Sequence, residues 1–169
     1  MQFRARPSSQ GPFVRNAGLS GIDRALVGIG VYVEPSSPDV AAPARTIILI
    51  VDDAPDGRDI YSLYLQHQGF AVLTARDGNE GVDLARERQP HLVVMDVAMV
   101  RMDGITATKR LKRDARTRRI PVIVLTANLG KPVQQSAMEA GAAAFLTKPC
   151  LPQELERQIR RVLAARPAA

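Results

Sequence analysis

Five short runs of almost uninterrupted apolar residues, each followed by an amphipathic stretch, constrain this chain more than any other feature. The runs are Thr46 to Val51 (TIILIV), Phe70 to Thr74 (FAVLT), His91 to Met95 (HLVVM), Ile120 to Leu125 (IPVIVL) and Ala143 to Leu146 (AAFL). Runs this short and continuous suit strands buried on both faces, as in a parallel sheet covered by helices on either side. The stretches between them repeat residues at helical spacing: Ile60, Leu63, Tyr64 and His67; then Val82, Leu84 and Ala85; then Ile105, Thr108, Leu111 and Lys112. Val133, Ala137 and Ala140 make a fourth. Leu155, Ile159, Val162 and Leu163 make a fifth, opened by Pro152, a residue favoured in a first helical turn. Gly69 and Gly141 fall where helices should stop. The alternation predicts an α/β domain with a doubly wound, five-stranded parallel sheet and five helices. Such sheets place ligands outside the carboxyl ends of the strands, where the strand order reverses.

Those ends are where the chemistry-bearing residues fall. The first run ends in Asp52 and Asp53, the third in Asp96 and the fourth in Thr126, while the fifth runs into Lys148 and Pro149. A single Asp after a strand is an ordinary turn former or helix cap; polar residues at four strand ends together predict a site. Three carboxylates brought close repel one another unless a cation neutralises them. With only oxygen donors, and no His or Cys cluster, the cation expected is Mg²⁺. Lys148 and the Thr126 hydroxyl complete a pocket able to hold the oxygens of a phosphoryl group in transfer, a reaction that needs chiefly positioning and charge neutralisation. One carboxylate would then be the nucleophile, giving an aspartyl phosphate.

Composition narrows the alternatives. The chain's 169 residues suffice for one domain with extra chain, and 46% hydrophobic with 24% charged residues is ordinary for a globular protein. Aromatics are 4% with no Trp, which leaves little material for stacking on bases or sugars. A net charge of +6 favours anionic partners only in a general way. The single cysteine, Cys150, excludes an internal disulfide framework and fits a reducing cytosol. No apolar run approaches the ~20 residues of a membrane span, and Ala25 to Val33, with its two glycines and a long Pro-containing lead, does not read as a signal peptide. The expected location is cytoplasmic, with no membrane partner.

Residues 1–45 contain Pro7, Pro12, Pro35, Pro38 and Pro43, and Glu34 to Arg45 (EPSSPDVAAPAR) is a linker by composition. They read as a flexible N-terminal extension, leaving a domain over 46–166. Lys109 to Arg119 (KRLKRDARTRR) is strongly basic, and reads as the solvated face and C-terminal end of a helix, where cations suit the dipole. No recognition-helix module accompanies it, so no direct nucleic-acid contact is expected. His67 and His91 read as structural or surface residues, Cys150 as partly buried, and Gly78-Asn79-Glu80 as a helix start. A GxxxxGK[ST] loop and a GxSxG elbow are both absent, which disfavours a nucleotide-binding ATPase and an α/β hydrolase.

The segments VDD at 51–53, MDVAMVRMDG at 95–104, LTA at 125–127 and AGAAAFLTKP at 140–149 together resemble the receiver domains of two-component response regulators, over about Ile47 to Ala165. The resemblance implies a flavodoxin-like receiver fold with Asp96 as phosphoacceptor. It implies Asp53 as a direct Mg²⁺ ligand, Asp52 acting through metal-bound water, and the Ala98 backbone carbonyl as a further ligand. Lys148 would pair with the phosphoryl oxygens, and its bond to Pro149 would be cis. Thr126 would be the hydroxyl that moves to the phosphoryl group, and Phe145 the aromatic whose rotamer follows it; the same position suits a core or surface-patch residue. Val100 departs from the family, which usually carries Pro there, and removes a rigid turn element without removing a catalytic atom. Ala98 offers water no polar side chain.

The resemblance also implies partners. A histidine kinase or histidine phosphotransfer protein would donate through helix one, about Asp56 to Gln68, and an unidentified output protein would read the face from Lys131 to Arg161. Only Arg166-Pro-Ala-Ala follows the last helix, so the expectation is a single-domain regulator that catalyses nothing beyond its own phosphorylation and dephosphorylation. Two rivals stand beside it. One is a receiver-fold binding module that signals without phosphorylation. The other is a phosphatase using an aspartyl phosphate, whose usual DxD motif at strand one is not matched by Asp52-Asp53-Ala54-Pro55.

Overall fold

The structure, a computed structural model, describes residues 45–127 and 130–165. The expected N-terminal extension lies outside the described residues. Strands and helices alternate: β1 (Ile47–Val51), α1 (Pro55–His67), β2 (Ala71–Ala75), α2 (Gly78–Arg88), β3 (Leu92–Asp96), α3 (Gly104–Arg113), β4 (Val122–Thr126), α4 (Lys131–Glu139), β5 (Ala144–Thr147) and α5 (Pro152–Ala164). The five strands form one parallel sheet in the order β2-β1-β3-β4-β5. The doubly wound five-stranded sheet with five helices is therefore as the apolar runs predict.

Side-chain alternation along the strands builds two cores. Ile48, Ile50, Leu92, Val94, Ile123 and Leu125 point to one face and meet Tyr61 and Leu65 of α1 and Leu155 and Ile159 of α5. Leu49, Val51, Val93, Met95, Val122 and Val124 point to the other, against α2, α3 and Ala137 of α4. Each fully buried side chain of this size contributes roughly 2 kcal/mol relative to exposure. The chain steps from β1 to β2, then back across β1 to β3. Right-handed crossovers in opposite directions put α1 and α2 on opposite faces, and leave a crevice between the ends of β1 and β3.

Two features differ from the sequence reading. The strands begin later than the apolar runs: Phe70, Ile120 and Pro121 lie outside them. Phe70 is only 6% exposed, but it packs under the sheet edge with the Arg160 guanidinium 4.9 Å from its ring centroid. Apolarity reports burial, and burial extends past the last paired residue. The inward face of α1 is also displaced. Tyr61 and Leu65 are buried, whereas Ile60 and Leu63 are 58% and 73% exposed and His67 is exposed as well.

The turns follow the expected chemistry. Gly69 and Gly141 take φ of +90° and +94° just past α1 and α4, a conformation open to glycine without strain. Gly78 opens α2, with Asp77 as its cap. The basic run is not wholly solvated. Lys112 Nζ donates to the Ile120 and Arg118 carbonyls at 2.6 and 3.3 Å, and Asp114 accepts from Arg86 Nε at 2.6 Å. The α1–α5 contact is tied by polar groups. Tyr64 donates to Glu156 Oε2 at 2.9 Å, and Arg160 Nε donates to Glu156 Oε1 at 2.8 Å.

Candidate functional site

Sheet register brings the predicted residues to one place. Val51 pairs with Met95, so Asp52 and Asp96 follow side by side. Asp96 pairs with Leu125 and Thr126 with Thr147, so Thr126 and Lys148 lie just beyond. One carboxylate oxygen from each of Asp52, Asp53 and Asp96 lies within 4.8 Å of the others. Asp52 and Asp96 are 2% and 4% exposed, while Asp53 is half-buried.

Lys148 bridges two of the three acids. Its ammonium lies 2.7 Å from Asp52 Oδ2 and 2.9 Å from Asp96 Oδ1. Burial pushes the Asp96 carboxyl above the usual carboxylate range; the Lys148 hydrogen bond and charge draw it back, and Asp52 and Asp53 push it further up. Burial also opposes the Lys148 charge, but its hydrogen bonds to Asp52 and Asp96 outweigh that and raise its pKa above the ordinary lysine value. The site thus holds two buried carboxylates bridged by a partly buried ammonium, with a third carboxylate at the rim. A cation is the missing charge balance, and the all-oxygen donor set fits Mg²⁺ rather than a metal preferring imidazole or thiolate.

The surrounding backbone fixes these groups. Asp52 Oδ1 accepts the Ala54 N–H at 2.8 Å, and Arg58 on α1 donates to the Asp52 carbonyl. Lys148 N–H donates to the Thr126 carbonyl at 2.7 Å, joining the ends of β4 and β5, and the Lys148-Pro149 peptide is cis as expected. Gly104 opens α3 directly against β3; a Cβ there would overlap the Asp96 carbonyl oxygen. Thr126 is 1% exposed at the end of β4, and Phe145 is half-buried on β5 against the α2–α4 core. Ala98 is exposed in the loop after β3, and the Val100 N–H two residues on donates to Asp53 Oδ2 at 3.2 Å.

Several contributing residues were not singled out from sequence. Tyr61 donates its hydroxyl to the Cys150 carbonyl at 2.9 Å, anchoring the segment after Lys148 to α1. Asp77 caps α2, accepting from Asn79 and Glu80 N–H at 2.9 and 3.0 Å, and Arg101 reaches its other oxygen at 3.2 Å. The Asp77-x-x-Glu80 spacing is a capping signal that would have found the first. Nothing in the sequence announces the second. Cys150 is 8% exposed, and burial pushes its thiol pKa up, so it is a structural rather than a nucleophilic thiol. Beside Lys148 a cleft of 210 Å³ is lined by Gly57, Ile60, Tyr61, Pro149 and Cys150. Among the described residues no helix is long and apolar enough to cross a membrane.

Comparison with known proteins agrees with this geometry. The family model for the response regulator receiver domain matches residues 48–160. The protein PilH of Pseudomonas aeruginosa is 39% identical over 117 residues, which is 69% of this chain and 97% of PilH. The chemotaxis protein CheY4 of Vibrio cholerae superposes with a TM-score of 0.68 at 30% identity, over 70% of this chain and 99% of that one. The receiver domain of the sensor histidine kinase PA1611 of Pseudomonas aeruginosa superposes with a TM-score of 0.67 at 30% identity, over 72% of this chain and 100% of that one. Its structure has a magnesium ion coordinated in the active-site cleft.

Proposed function

The chain belongs to the response regulator receiver family, and from that premise we propose that Asp96 is its phosphoacceptor. The observation that carries this assignment is the Lys148 ammonium bridging Asp52 and Asp96 at 2.7 and 2.9 Å beside Asp53. Asp96 is thereby a buried carboxylate with a cation already at hand and two further acids beside it to hold another. A carboxylate oxygen of Asp96 forms the new O–P bond as the bond from phosphorus to the donor imidazole nitrogen breaks, and the electron pair leaves with the imidazole. The Lys148 ammonium transfers from the Asp96 oxygen to a phosphoryl oxygen. Asp53, Asp96 and the Ala98 carbonyl would hold Mg²⁺ directly and Asp52 through water; when bound, the ion supplies positive charge to the phosphoryl oxygens.

The same reading assigns the partners. Ile60 and Leu63 on α1, with Leu151 at 69% exposure beyond the 210 Å³ cleft, give a histidine kinase or phosphotransfer protein an apolar face beside the site. Phosphorylation biases a two-state equilibrium through the Thr126 hydroxyl and the Phe145 ring. The output side is α4–β5–α5. Helix α4 places only Ala137 among its fully buried residues, so few packing contacts oppose its movement. The chain acts as a cytoplasmic phosphorylation-dependent regulator, with no chemistry beyond its own phosphorylation and dephosphorylation. Intact mass after incubation with Mg²⁺ and acetyl phosphate tests the assignment. Wild type should gain one phosphoryl group and Asp96→Asn none. If wild type gains none, and a panel of histidine kinases also fails to label it, the binding module without phosphorylation replaces this reading.

A further inference from the structure

The loop between β3 and α3 reaches the acid cluster through the Val100 N–H, which donates to Asp53 Oδ2 at 3.2 Å. Val100 itself is 62% exposed, so its side chain does not anchor the loop. The next residue, Arg101, has φ of +68°, in the left-handed region that a residue with a Cβ rarely occupies. Such a conformation persists only where its surroundings over-determine it. Two contacts do so. The Arg101 guanidinium lies 3.2 Å from Asp77 Oδ2, whose side chain is 6% exposed. Met102 is buried at 6% exposure, and its carbonyl lies so near Gly78 that a Cβ there would come within 2.8 Å of it.

Asp77 is immobilised independently of Arg101, because its other oxygen caps α2 through the Asn79 and Glu80 N–H groups. The guanidinium, on a side chain itself 71% exposed, therefore meets a fixed point. Relaxation of Arg101 to negative φ would rotate the peptide joining it to Val100 and turn the loop away from Asp53. We infer that Asp77 and Arg101 form a positioning pair that sets the β3–α3 loop against Asp53, and so tunes how tightly the acid cluster holds its cation. Neither residue touches the reacting atoms. The inference rests on the cation-binding reading of Asp52, Asp53 and Asp96.

The test uses the full chain as wild type, Asp77→Asn, Arg101→Gly, Arg101→Lys and the Asp77→Asn/Arg101→Gly double variant. Asn caps a helix as well as Asp does, so Asp77→Asn removes the ion pair and keeps α2. Gly tolerates the left-handed conformation, so Arg101→Gly removes the guanidinium without adding strain. Calorimetric titration with Mg²⁺ should show each single variant weakened about tenfold, the low end for groups behind a metal ligand. The double variant should be no weaker than the weaker single, and Arg101→Lys should recover part of the loss. Hydrogen exchange of the Val100 amide in metal-free protein should accelerate in the same order. Wild-type Mg²⁺ affinity and wild-type Val100 exchange in the variants would overturn the inference, as would a lower Tm with affinity unchanged or fully additive losses in the double variant. If wild type itself binds no Mg²⁺, the functional reading fails, and Val100 exchange in the metal-free variants alone then decides whether the pair positions the loop.

Discussion

Asp96 and Asp103 stand at the two ends of one loop, and their surroundings treat the same side chain in opposite ways. Asp96 is 4% exposed at the end of β3, and burial together with Asp52 and Asp53 holds its carboxyl above the ordinary range against the pull of Lys148. Asp103 is exposed at the start of α3. Partial burial there is outweighed by the Thr106 hydroxyl and backbone N–H, at 2.6 and 2.9 Å, and its carboxyl is held below the ordinary range. Folding thus stabilises the charge that builds a helix and opposes the charge assigned to chemistry. Asp77 and Asp114 behave like Asp103, their carboxyls lowered chiefly by the backbone N–H groups of Glu80 and Arg116 respectively. A carboxylate crowded among others and short of cations is one poised to accept a cation and a phosphoryl group.

The sharpest way to break the contrast is to force the two ends of the loop apart. Gly104 lets the first turn of α3 rest on the Asp96 backbone, and the methyl of Gly104→Ala would overlap the Asp96 carbonyl oxygen. Neither β3 nor α3 can yield, since Met95 and Ala107 are fully buried on either side. A loss of about 3 kcal/mol is expected, the upper range for overpacking, measured as the shift in urea midpoint. A variant within error of wild type would mean that α3 can slide, and that Asp96 is not held by its contact with the helix start.

Asp103→Ala probes the stabilised end alone. Its carboxylate is held within the first turn, by the Thr106 hydroxyl and N–H and by the neighbouring Ile105 N–H, so removal should leave β3 unchanged. Loss of an N-cap of this kind costs about 1 kcal/mol, with Asp103→Asn recovering most of it. Equal losses in the Ala and Asn variants would show that the charge, and not the cap hydrogen bond, is what α3 requires.

The same contrast explains what could be read from the chain before its structure. Strands, helices and the five site residues at the strand ends follow from local apolar continuity and from polar residues at its breaks. The displaced face of α1 does not. Ile60 and Leu63 are as apolar as Leu65, and their exposure is settled by which face of the helix the sheet receives. Tyr61 goes inward, where its hydroxyl meets the carbonyl of Cys150, far away in sequence and two residues past Lys148. Arg101 is less legible still. Its positive φ goes with the turn closed by the Met102 N–H on the Val100 carbonyl and with the contact to Asp77, neither of which a non-glycine residue announces. Capping by Asp103, by contrast, is written within a single turn, as a short polar side chain ahead of a helix.

The smallest expected effect is the most informative about the unfavourable end. In Asp96→Asn the buried charge is gone, and at pH 7 the variant should be more stable than wild type by about 0.5 kcal/mol, the usual sign when a functional site is neutralised. Because the folded carboxyl of Asp96 has a raised pKa, folding favours its protonated form. Wild type carries the full handicap above that raised value, and the handicap disappears as pH falls from there to the ordinary carboxylate pKa. The gain from Asp96→Asn should therefore shrink in that window. Asp103 has the opposite sign. Its contribution is present above the ordinary carboxylate pKa and is lost as pH falls through its lowered folded value. Urea midpoints of Asp96→Asn and Asp103→Ala, taken from neutral to acid pH, should then converge on that of wild type over two separate windows. An Asp96→Asn variant less stable than wild type at pH 7 would mean that the ion pair with Lys148 outweighs the burial and crowding of the carboxylate. Asp96 would then be a stabilising part of the fold, and the contrast with Asp103 would fall.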